Sequence, residues 1–313
     1  MDLNFFKKTR VLDGGMGQEL LARGMKPIGT LWSANALLDK NYHQLLFDTH
    51  RDFVKAGAEV IVTATFTTRR KRLRDNGVED KFDYLNKKAG EIAANVKKEF
   101  PNILVAGGLP PQNLTYEADD RSEDEIINNF NEQAKLLNPY VDFFYFDVWS
   151  SIKEFKCGIE AIKEFKKPYL IGIHISEGTN LPSGEKISAI RDIIDDQLLG
   201  IMLSCVSPEN FEINLKELKN LNVPFGFKVN AFITTKPKDG YTSTFTKSNG
   251  NPNEFLGQRE DLTPQKVGEL ARNFHNNGAT IIGGCCETRP SHIEAMANTI
   301  SVSYTHLTLP TKA

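Results

Sequence analysis

The strongest constraint on the fold is a regular alternation of short β-type runs with longer segments of helical spacing. Eight apolar runs are predicted to be strands, at residues 10–13, 59–66, 103–109, 142–148, 169–175, 200–206, 225–231 and 279–285. Helical segments are predicted at residues 42–56, 80–100, 123–137, 152–165, 187–197, 208–218 and 263–275, with a last one from Ser291 onward. Such alternation predicts a parallel sheet covered by helices. Eight units predict a single closed (β/α)8 barrel, or TIM barrel, of the α/β class.

The length and the loops agree with one large domain. The chain has 313 residues and no low-complexity linker, so we expect the barrel to occupy residues 1–301. Residues 302–313 are β-rich and carry Pro310, and we predict a disordered or non-native tail there. Residues 234–260, rich in Lys, Asn, Gly, Ser and Thr, are predicted to form a mobile loop that acts as a lid.

Charge and hydropathy favour a small-molecule ligand. The chain has 38 basic and 40 acidic residues and a net charge of -2, so we expect no nucleic-acid partner and no membrane partner. The densest basic run, residues 69–74, is predicted to be a solvated helix face. Without a membrane-spanning segment or a secretory signal, the protein is expected to be cytoplasmic, and an oligomer stays open.

Three of the four cysteines are predicted to meet at one end of the barrel. Cys205 ends the sixth predicted strand, and Cys285 and Cys286 end the eighth and follow it. Barrel enzymes build their sites at the C-terminal ends of strands, and a catalytic zinc ion takes three protein ligands. Residues 283–284, both glycine, are predicted to bend the backbone so that both neighbouring thiols reach one ion. Cys157, on a predicted helix, is interpreted as a core residue.

Short motifs accompany these cysteines. They are Leu-Asp-Gly-Gly-Met-Gly-Gln-Glu-Leu at residues 12–20, Leu-Trp-Ser-Ala at residues 31–34 and Gly-Gly-Cys-Cys-Glu at residues 283–287. Together with Cys205, they resemble the zinc-dependent homocysteine S-methyltransferases, including the betaine- and S-methylmethionine-dependent enzymes. The resemblance extends from Arg10 to about Ile300. It implies a (β/α)8 barrel in which the three clustered cysteines bind Zn²⁺.

The resemblance also implies a reaction. Zinc would keep the thiol of homocysteine deprotonated, and this thiolate would take a methyl group from S-methylmethionine, betaine or a similar onium donor, giving methionine. We therefore expect two small-molecule substrates, homocysteine and a methyl donor. Two alternatives stay open. One is methyl transfer to a different thiol or selenol, and the other is a zinc-binding barrel without catalysis.

Four positions match substrate-binding positions of the family: Asp13, Thr65, Asp147 and Asn230. Helix capping is the alternative role for Asp13, and a turn is the alternative role for Asn230. The chain departs from the family pattern beside two of the predicted strand ends. It has Asp147-Val148 where the family commonly has Glu-Thr, and Ser204 where the family has Asn before the zinc-binding cysteine. These changes predict an intact zinc site beside an altered acceptor pocket.

Aromatic side chains near predicted strand ends are candidates for binding the onium group through cation–π attraction. They are Trp32, Phe66 and Trp149, for which core packing is the alternative. His174, at the end of the fifth predicted strand, is a further candidate to reach the pocket.

Overall fold

A closed sheet of parallel strands forms the centre of the computed structural model, which describes residues 1–236 and 251–307. The strands are β1 Arg10–Val11, β2 Val60–Val62, β3 Leu104–Leu109, β4 Phe143–Trp149, β5 Tyr169–Ile173, β6 Leu198–Val206, β7 Phe225–Val229 and β8 Ile281–Gly284. Their order is β1-β8-β7-β6-β5-β4-β3-β2. A parallel bridge between Leu12 and Val60 joins β1 to β2 and closes the ring. The predicted (β/α)8 barrel is confirmed.

Helices connect the strands around the outside of the barrel. In chain order they are α1 Met16–Ala22, α2 Asn35–Leu38, α3 His43–Lys55, α4 Arg70–Asp75, α5 Phe82–Glu99, α6 Glu123–Leu137, α7 Ile152–Ile162, α8 Pro208–Lys219, α9 Asn253–Leu256, α10 Pro264–Asn276 and α11 Pro290–Leu307. Side-chain caps fix several starts, as where Ser122 accepts a hydrogen bond from the backbone of Glu125. In the part of the chain that the structure describes, no helix has the length and apolar character to cross a bilayer.

Two predicted segments differ from the structure. Residues 187–197 do not form an α-helix, and only a 3-10 helix, Ile187–Asp192, is present. Its two buried residues, Ile187 and Ile190, are three positions apart, as a 3-10 turn requires, and the β-branched and Asp residues that follow disfavour an α-helix. The last helix extends to Leu307 rather than stopping near residue 301. Residues 308–313 of the predicted tail lie outside the described residues.

The barrel interior is closed at its N-terminal end. Phe6, in the 3-10 turn Phe5–Lys7, is fully buried, and its ring lies 6.1 Å from that of Phe143 in an edge-to-face arrangement. It belongs to one apolar cluster with inward-facing residues of β2, β3, β4, β5, β6 and β8. A larger cluster fills the space between the sheet and the helices. With the lower end plugged, the C-terminal end of the strands is left for a site.

The basic run at residues 69–74 is not a solvated face throughout. Arg69 is buried, and its guanidinium donates to the carbonyl of Phe66 and to Oγ1 of Thr115, both at 2.9 Å. Arg72 is also buried, and it lines a cavity. The prediction of a fully solvated run was wrong because the connection after β2 folds inward across the barrel mouth.

Candidate active site

Three cysteine sulfurs meet at the C-terminal end of the barrel. Sγ of Cys205 lies 3.8 Å from Sγ of Cys286, which lies 4.0 Å from Sγ of Cys285, and all three lie within 4.8 Å of one another. Two zinc–sulfur bonds of about 2.3 Å at a tetrahedral angle separate their sulfurs by about 3.8 Å. The cluster therefore suits a zinc ion, with a fourth coordination position left for another ligand.

A bulge in strand β6 brings Cys205 into the cluster. The pairing of β6 with β7 shifts register between Ser204 and Val206, and Cys205 has a left-handed backbone with φ of 56°. A non-glycine residue in that region is strained by roughly 1–3 kcal/mol, and such residues concentrate at functional sites. Without the bulge, side chains would alternate strictly between the two faces of β6, and Cys205 would not have this orientation toward the barrel mouth.

Glycine before the cysteine pair serves close packing rather than bending. Gly283 and Gly284 end strand β8 without entering the left-handed region, so the predicted backbone bend at these residues was wrong. A Cβ atom on Gly284 would lie 2.1 Å from Oγ1 of Thr288. The hydroxyl of Thr288 in turn donates to the carbonyl of Cys285 at 2.6 Å. The absence of a side chain at Gly284 leaves room for Thr288 to pack over the strand end.

The three thiols differ in ionisation. Hydrogen bonds from Cys205 and Cys286 hold the pKa of Cys285 well below its ordinary value, and the ammonium of Lys228 lowers it further. Burial raises the pKa of Cys205. The pKa of Cys286 is also raised, so the pKa of Cys285 is the lowest of the three clustered thiols. By contrast, Cys157 lies on α7 in the core, and burial raises its pKa to about 11, as expected for an inert structural thiol.

Tyr116 contacts the cysteine cluster and was not found from the sequence. It lies after β3 in an irregular segment, with φ of 70°, and its hydroxyl oxygen is 3.2 Å from Sγ of Cys205. Its ring packs against the imidazole of His174, with centroids 4.4 Å apart. His174 Nε2 lies 2.8 Å from Oγ of Ser176, and burial lowers its pKa to about 4. His174 is therefore a neutral imidazole at pH 7, and it packs against the ring of Tyr116.

The cysteines form one wall of a cavity at the barrel mouth. Its other walls come from the loops after β1, β2, β3 and β7, from the C-terminal ends of β4 and β7, and from the segment around α9. The wall includes charged groups and several aromatic side chains. These residues are Asp13, Arg72, Asp147, Lys228, Trp32, Phe66, Tyr116 and Phe232.

Asp13 and Lys228 form a buried ion pair in this cavity. Nζ of Lys228 donates to Oδ1 of Asp13 at 3.3 Å, while the backbone NH of Val62 donates to Oδ2 at 2.7 Å. Burial raises the pKa of Asp13, and the nearby ammonium only partly offsets this. Sequence reasoning found Asp13 but missed Lys228. A lysine inside the apolar strand Phe225–Val229 was the available signal.

Asp147 and Val148 occupy a second bulge, at the end of β4. The pairing of β4 with β5 shifts register between Phe146 and Trp149, and Val148 has φ of 68°. Both residues line the cavity. Burial raises the pKa of Asp147 to about 7, against the opposing effect of Lys228. The hydrogen-bond donor that Val148 lacks is not replaced by Ser204, whose Oγ lies 2.5 Å from the hydroxyl of Tyr145.

Two predicted substrate-binding residues do not line this cavity. Oγ1 of Thr65 donates to the carbonyl of Gly108 at 2.6 Å and is fully buried. Oδ1 of Asn230 accepts a hydrogen bond from the backbone of Phe232 at 3.1 Å, which is the turn role considered from the sequence. Both side chains form hydrogen bonds with the backbone near strand ends. Thr63, by contrast, lines the cavity.

The two tryptophans have different environments. Trp32 lines the cavity together with Phe66, and their rings meet edge to face with centroids 6.2 Å apart. A Cβ on Gly17 would lie 2.1 Å from the indole, so the glycine motif of the first loop makes room for Trp32. Trp149 is fully buried and stacks on Phe146 at 4.2 Å. Its candidacy for ligand binding was wrong because it belongs to the core.

A polar network connects the cavity wall to the C-terminal part of the predicted lid. Nε2 of Gln18 donates to Oε1 of Glu287 at 2.8 Å, and Nδ2 of Asn253 donates to the same oxygen at 2.7 Å. Trp32 Nε1 donates to Oε1 of Gln18 at 2.6 Å. The segment that Asn253 anchors contributes Leu256 to the cavity. Residues 237–250 of the predicted loop lie outside the described residues.

Comparison with known proteins agrees with this arrangement. The chain matches the family described as homocysteine S-methyltransferase over residues 10–300. It is 26% identical to the homocysteine S-methyltransferase YbgG of Bacillus subtilis, over 92% of this chain and 93% of that protein. It is 23% identical to a selenocysteine methyltransferase of Astragalus bisulcatus, over 94% of this chain and 93% of that protein.

Solved structures share the fold. The metallated form of the homocysteine methyltransferase MmuM from Escherichia coli superposes with a TM-score of 0.74 at 20% identity, and covers 95% of this chain and 99% of its own. The family match spans the whole barrel, including all three clustered cysteines. The chain therefore belongs to the homocysteine S-methyltransferase family.

Proposed function

We propose that the protein transfers a methyl group from an onium donor, such as S-methylmethionine or betaine, to the sulfur of homocysteine and so forms methionine. The observation that carries this proposal is the convergence of Cys205, Cys285 and Cys286 on one cavity at the barrel mouth. Membership of the homocysteine S-methyltransferase family supports the reaction class. The cavity also offers charged and aromatic groups for two small substrates.

The three cysteines would hold zinc, because their sulfur separations match tetrahedral thiolate coordination. When bound, zinc supplies the Lewis acidity that keeps an acceptor thiol deprotonated at neutral pH. A thiolate site of this kind requires a reducing compartment, which favours a cytoplasmic location. We assign this activity to the barrel domain, residues 1–301.

The protein's own residues would bring the substrates together. In the transfer, the acceptor sulfur uses an electron pair to form a bond to the methyl carbon. The bond from that carbon to the donor's cationic sulfur or nitrogen breaks, and its electron pair leaves with the neutral donor product. No proton relay is needed, so positioning supplies much of the rate. We propose that Trp32 and Phe66 face the onium group, while Asp13 and Asp147 face the amino-acid part of the acceptor.

A different thiol or selenol acceptor is the second candidate. The observation that favours it is Val148 on the cavity wall where the family commonly has a hydroxyl residue, with Ser204 engaged by Tyr145. A relative named selenocysteine methyltransferase agrees with a variable acceptor in this family. A non-catalytic zinc-binding barrel is the third candidate.

Zinc content and methyl transfer, measured on the same preparations, test the proposal. We expect about one zinc per chain, as a single three-cysteine site implies, and methionine formed from homocysteine with at least one onium donor. Cys285→Ala should lose both zinc and turnover. Cys157→Ala, a change at a buried thiol in α7, is the matched control and should keep both.

Each outcome separates the candidates. Zinc with methylation of selenocysteine or another thiol, but not of homocysteine, would establish the second candidate. Zinc with no transfer to any acceptor would establish the third. Protein purified under reducing conditions without zinc would contradict the proposed metal site.

A further inference from the structure

Lys228 is a charged residue of the cavity wall to which the proposed reaction gives no role. Its residue exposure is 5%, although it lies inside a strand whose other members are Phe225, Gly226, Phe227 and Val229. Burying an ammonium costs several kcal/mol unless it is paired and hydrogen-bonded. Apolar packing therefore does not explain why a lysine occupies this buried position.

The contacts of Lys228 account for only part of its binding capacity. An ammonium has three N–H donors. Within residues 1–236 and 251–307, Asp13 is its hydrogen-bond partner, and the ring of Tyr145 lies below it with Nζ 5.5 Å from the centroid. Lys228 also lines the cavity. Donor capacity is therefore left for a bound anion.

The position of Lys228 indicates which part of a ligand it meets. Lys228 pairs with Ser204 of β6, next to Cys205, and with Gly283 of β8, two positions before Cys285. Asp147 lines the same cavity. The ammonium therefore lies near the metal-binding sulfurs on one side and near a carboxyl group on the other. An acceptor whose sulfur is at the cysteine cluster would place the rest of its short chain beside this pair of opposite charges.

We propose that Lys228 determines acceptor specificity by binding the α-carboxylate of an amino-acid thiol, while Asp147 binds its α-ammonium. Asp13, whose two oxygens already accept from Lys228 and Val62, orients the lysine. This inference rests on the proposed function and names the residue that selects the acceptor. It also accounts for the altered end of β4. Val148 has no hydroxyl group to donate a hydrogen bond to the acceptor, and the ammonium of Lys228 in β7 would donate one instead.

A pair of acceptors that differ only in the carboxylate tests this inference. Homocysteine and 3-aminopropane-1-thiol share the thiol and the amine, and only homocysteine has the carboxylate. We expect the wild-type protein to prefer homocysteine in kcat/KM and in calorimetric affinity. Lys228→Met should reduce this preference by roughly 10- to 100-fold, the range for a buried charge-assisted hydrogen bond. Its effect on 3-aminopropane-1-thiol should be small.

A double variant guards against misfolding. Lys228→Met leaves the Asp13 carboxylate buried without its cation, whereas Asp13→Asn combined with Lys228→Met removes both charges. The double variant should fold and still fail to discriminate between the two acceptors. An equal loss for both acceptors would overturn the inference and leave Lys228 as a counter-charge for the cysteine cluster. Wild-type protein that methylates other thiols while neither binding nor methylating homocysteine would overturn both proposals.

Discussion

The hydroxyl oxygen of Tyr116 lies 3.2 Å from Sγ of Cys205, although 89 positions separate the two residues in the chain. When Cys205 is a thiolate, only the hydroxyl can donate in this pair. Such a hydrogen bond withdraws electron density from the sulfur and fixes its direction. Outer groups of this kind commonly control metal affinity as well as ligand orientation.

Tyr116→Phe should therefore weaken zinc binding by about 10-fold, the lower end of the range for a lost outer hydrogen bond. Chelator competition with the purified protein measures this directly. Tyr169→Phe is the matched control, since its hydroxyl accepts from the backbone of Asp195 away from the cluster. Unchanged zinc affinity in Tyr116→Phe would show that the contact does not stabilise the thiolate.

Gly284→Ala should disturb the turn that carries Cys285 and Cys286. The added methyl would lie 2.1 Å from Oγ1 and 2.7 Å from Cβ of Thr288. Overpacking of this kind costs about 1–3 kcal/mol in the free energy of unfolding, and we expect zinc affinity to fall with it. Combining Gly284→Ala with Thr288→Gly should recover part of both losses. A single variant as stable as wild type in urea unfolding would contradict the packing argument.

Trp32→Leu should raise the KM for the methyl donor more than the KM for the acceptor. Loss of a cation–π contact of about 0.5–2 kcal/mol corresponds to roughly 2- to 30-fold. Trp32→Phe keeps an aromatic face beside Phe66 and should show a smaller change. Steady-state kinetics with S-methylmethionine and homocysteine would decide this. Equal changes in the two KM values would assign Trp32 a purely structural role.

His50 should make the protein less stable in acid. It is fully buried in α3, neither ring nitrogen has a hydrogen-bond partner in the described residues, and burial lowers its pKa to about 4. The unfolded chain protonates this histidine near pH 6.5, whereas the folded protein does so only near pH 4. Because the unfolded state binds more protons in this window, stability falls as the pH falls from about 6.5 to about 4.

The expected loss from His50 is about 3 kcal/mol across that window. Urea unfolding of wild type and His50→Leu at several pH values would isolate it, since the other titrating groups are common to both proteins. As the pH falls from about 6.5 to about 4, the free energy of unfolding of wild type should decrease more than that of His50→Leu. Parallel curves would show that His50 does not titrate differently on folding.

The barrel could be predicted from the sequence because its signal is local. Alternating β-type runs and helical segments report which residues are buried, and eight such units close in few ways. The three clustered cysteines were also accessible, because the C-terminal ends of parallel strands meet at one mouth. Asp13 and Asp147 were placed at the cavity by the same argument.

The orientation of several cavity residues depends on backbone detail that the periodicity of the sequence does not record. The four cavity residues Trp32, Tyr116, Val148 and Cys205 have positive φ without being glycine. In two of them the strand carries a bulge that breaks alternation. Thr65 does not line the cavity although its neighbours Ala64 and Phe66 both do, so position along the chain alone does not decide which side chain faces the site.

The sequence by itself determined the fold class, the family and the three sulfurs, since these follow from local patterns and motifs. Only the tertiary structure decided that Tyr116 reaches Cys205 and that Lys228 meets Asp13. It also decided that Trp149 packs in the core while Trp32 lines the cavity. These contacts join residues far apart in the chain, and their geometry exists only once the strands have closed and the loops have packed over the barrel mouth.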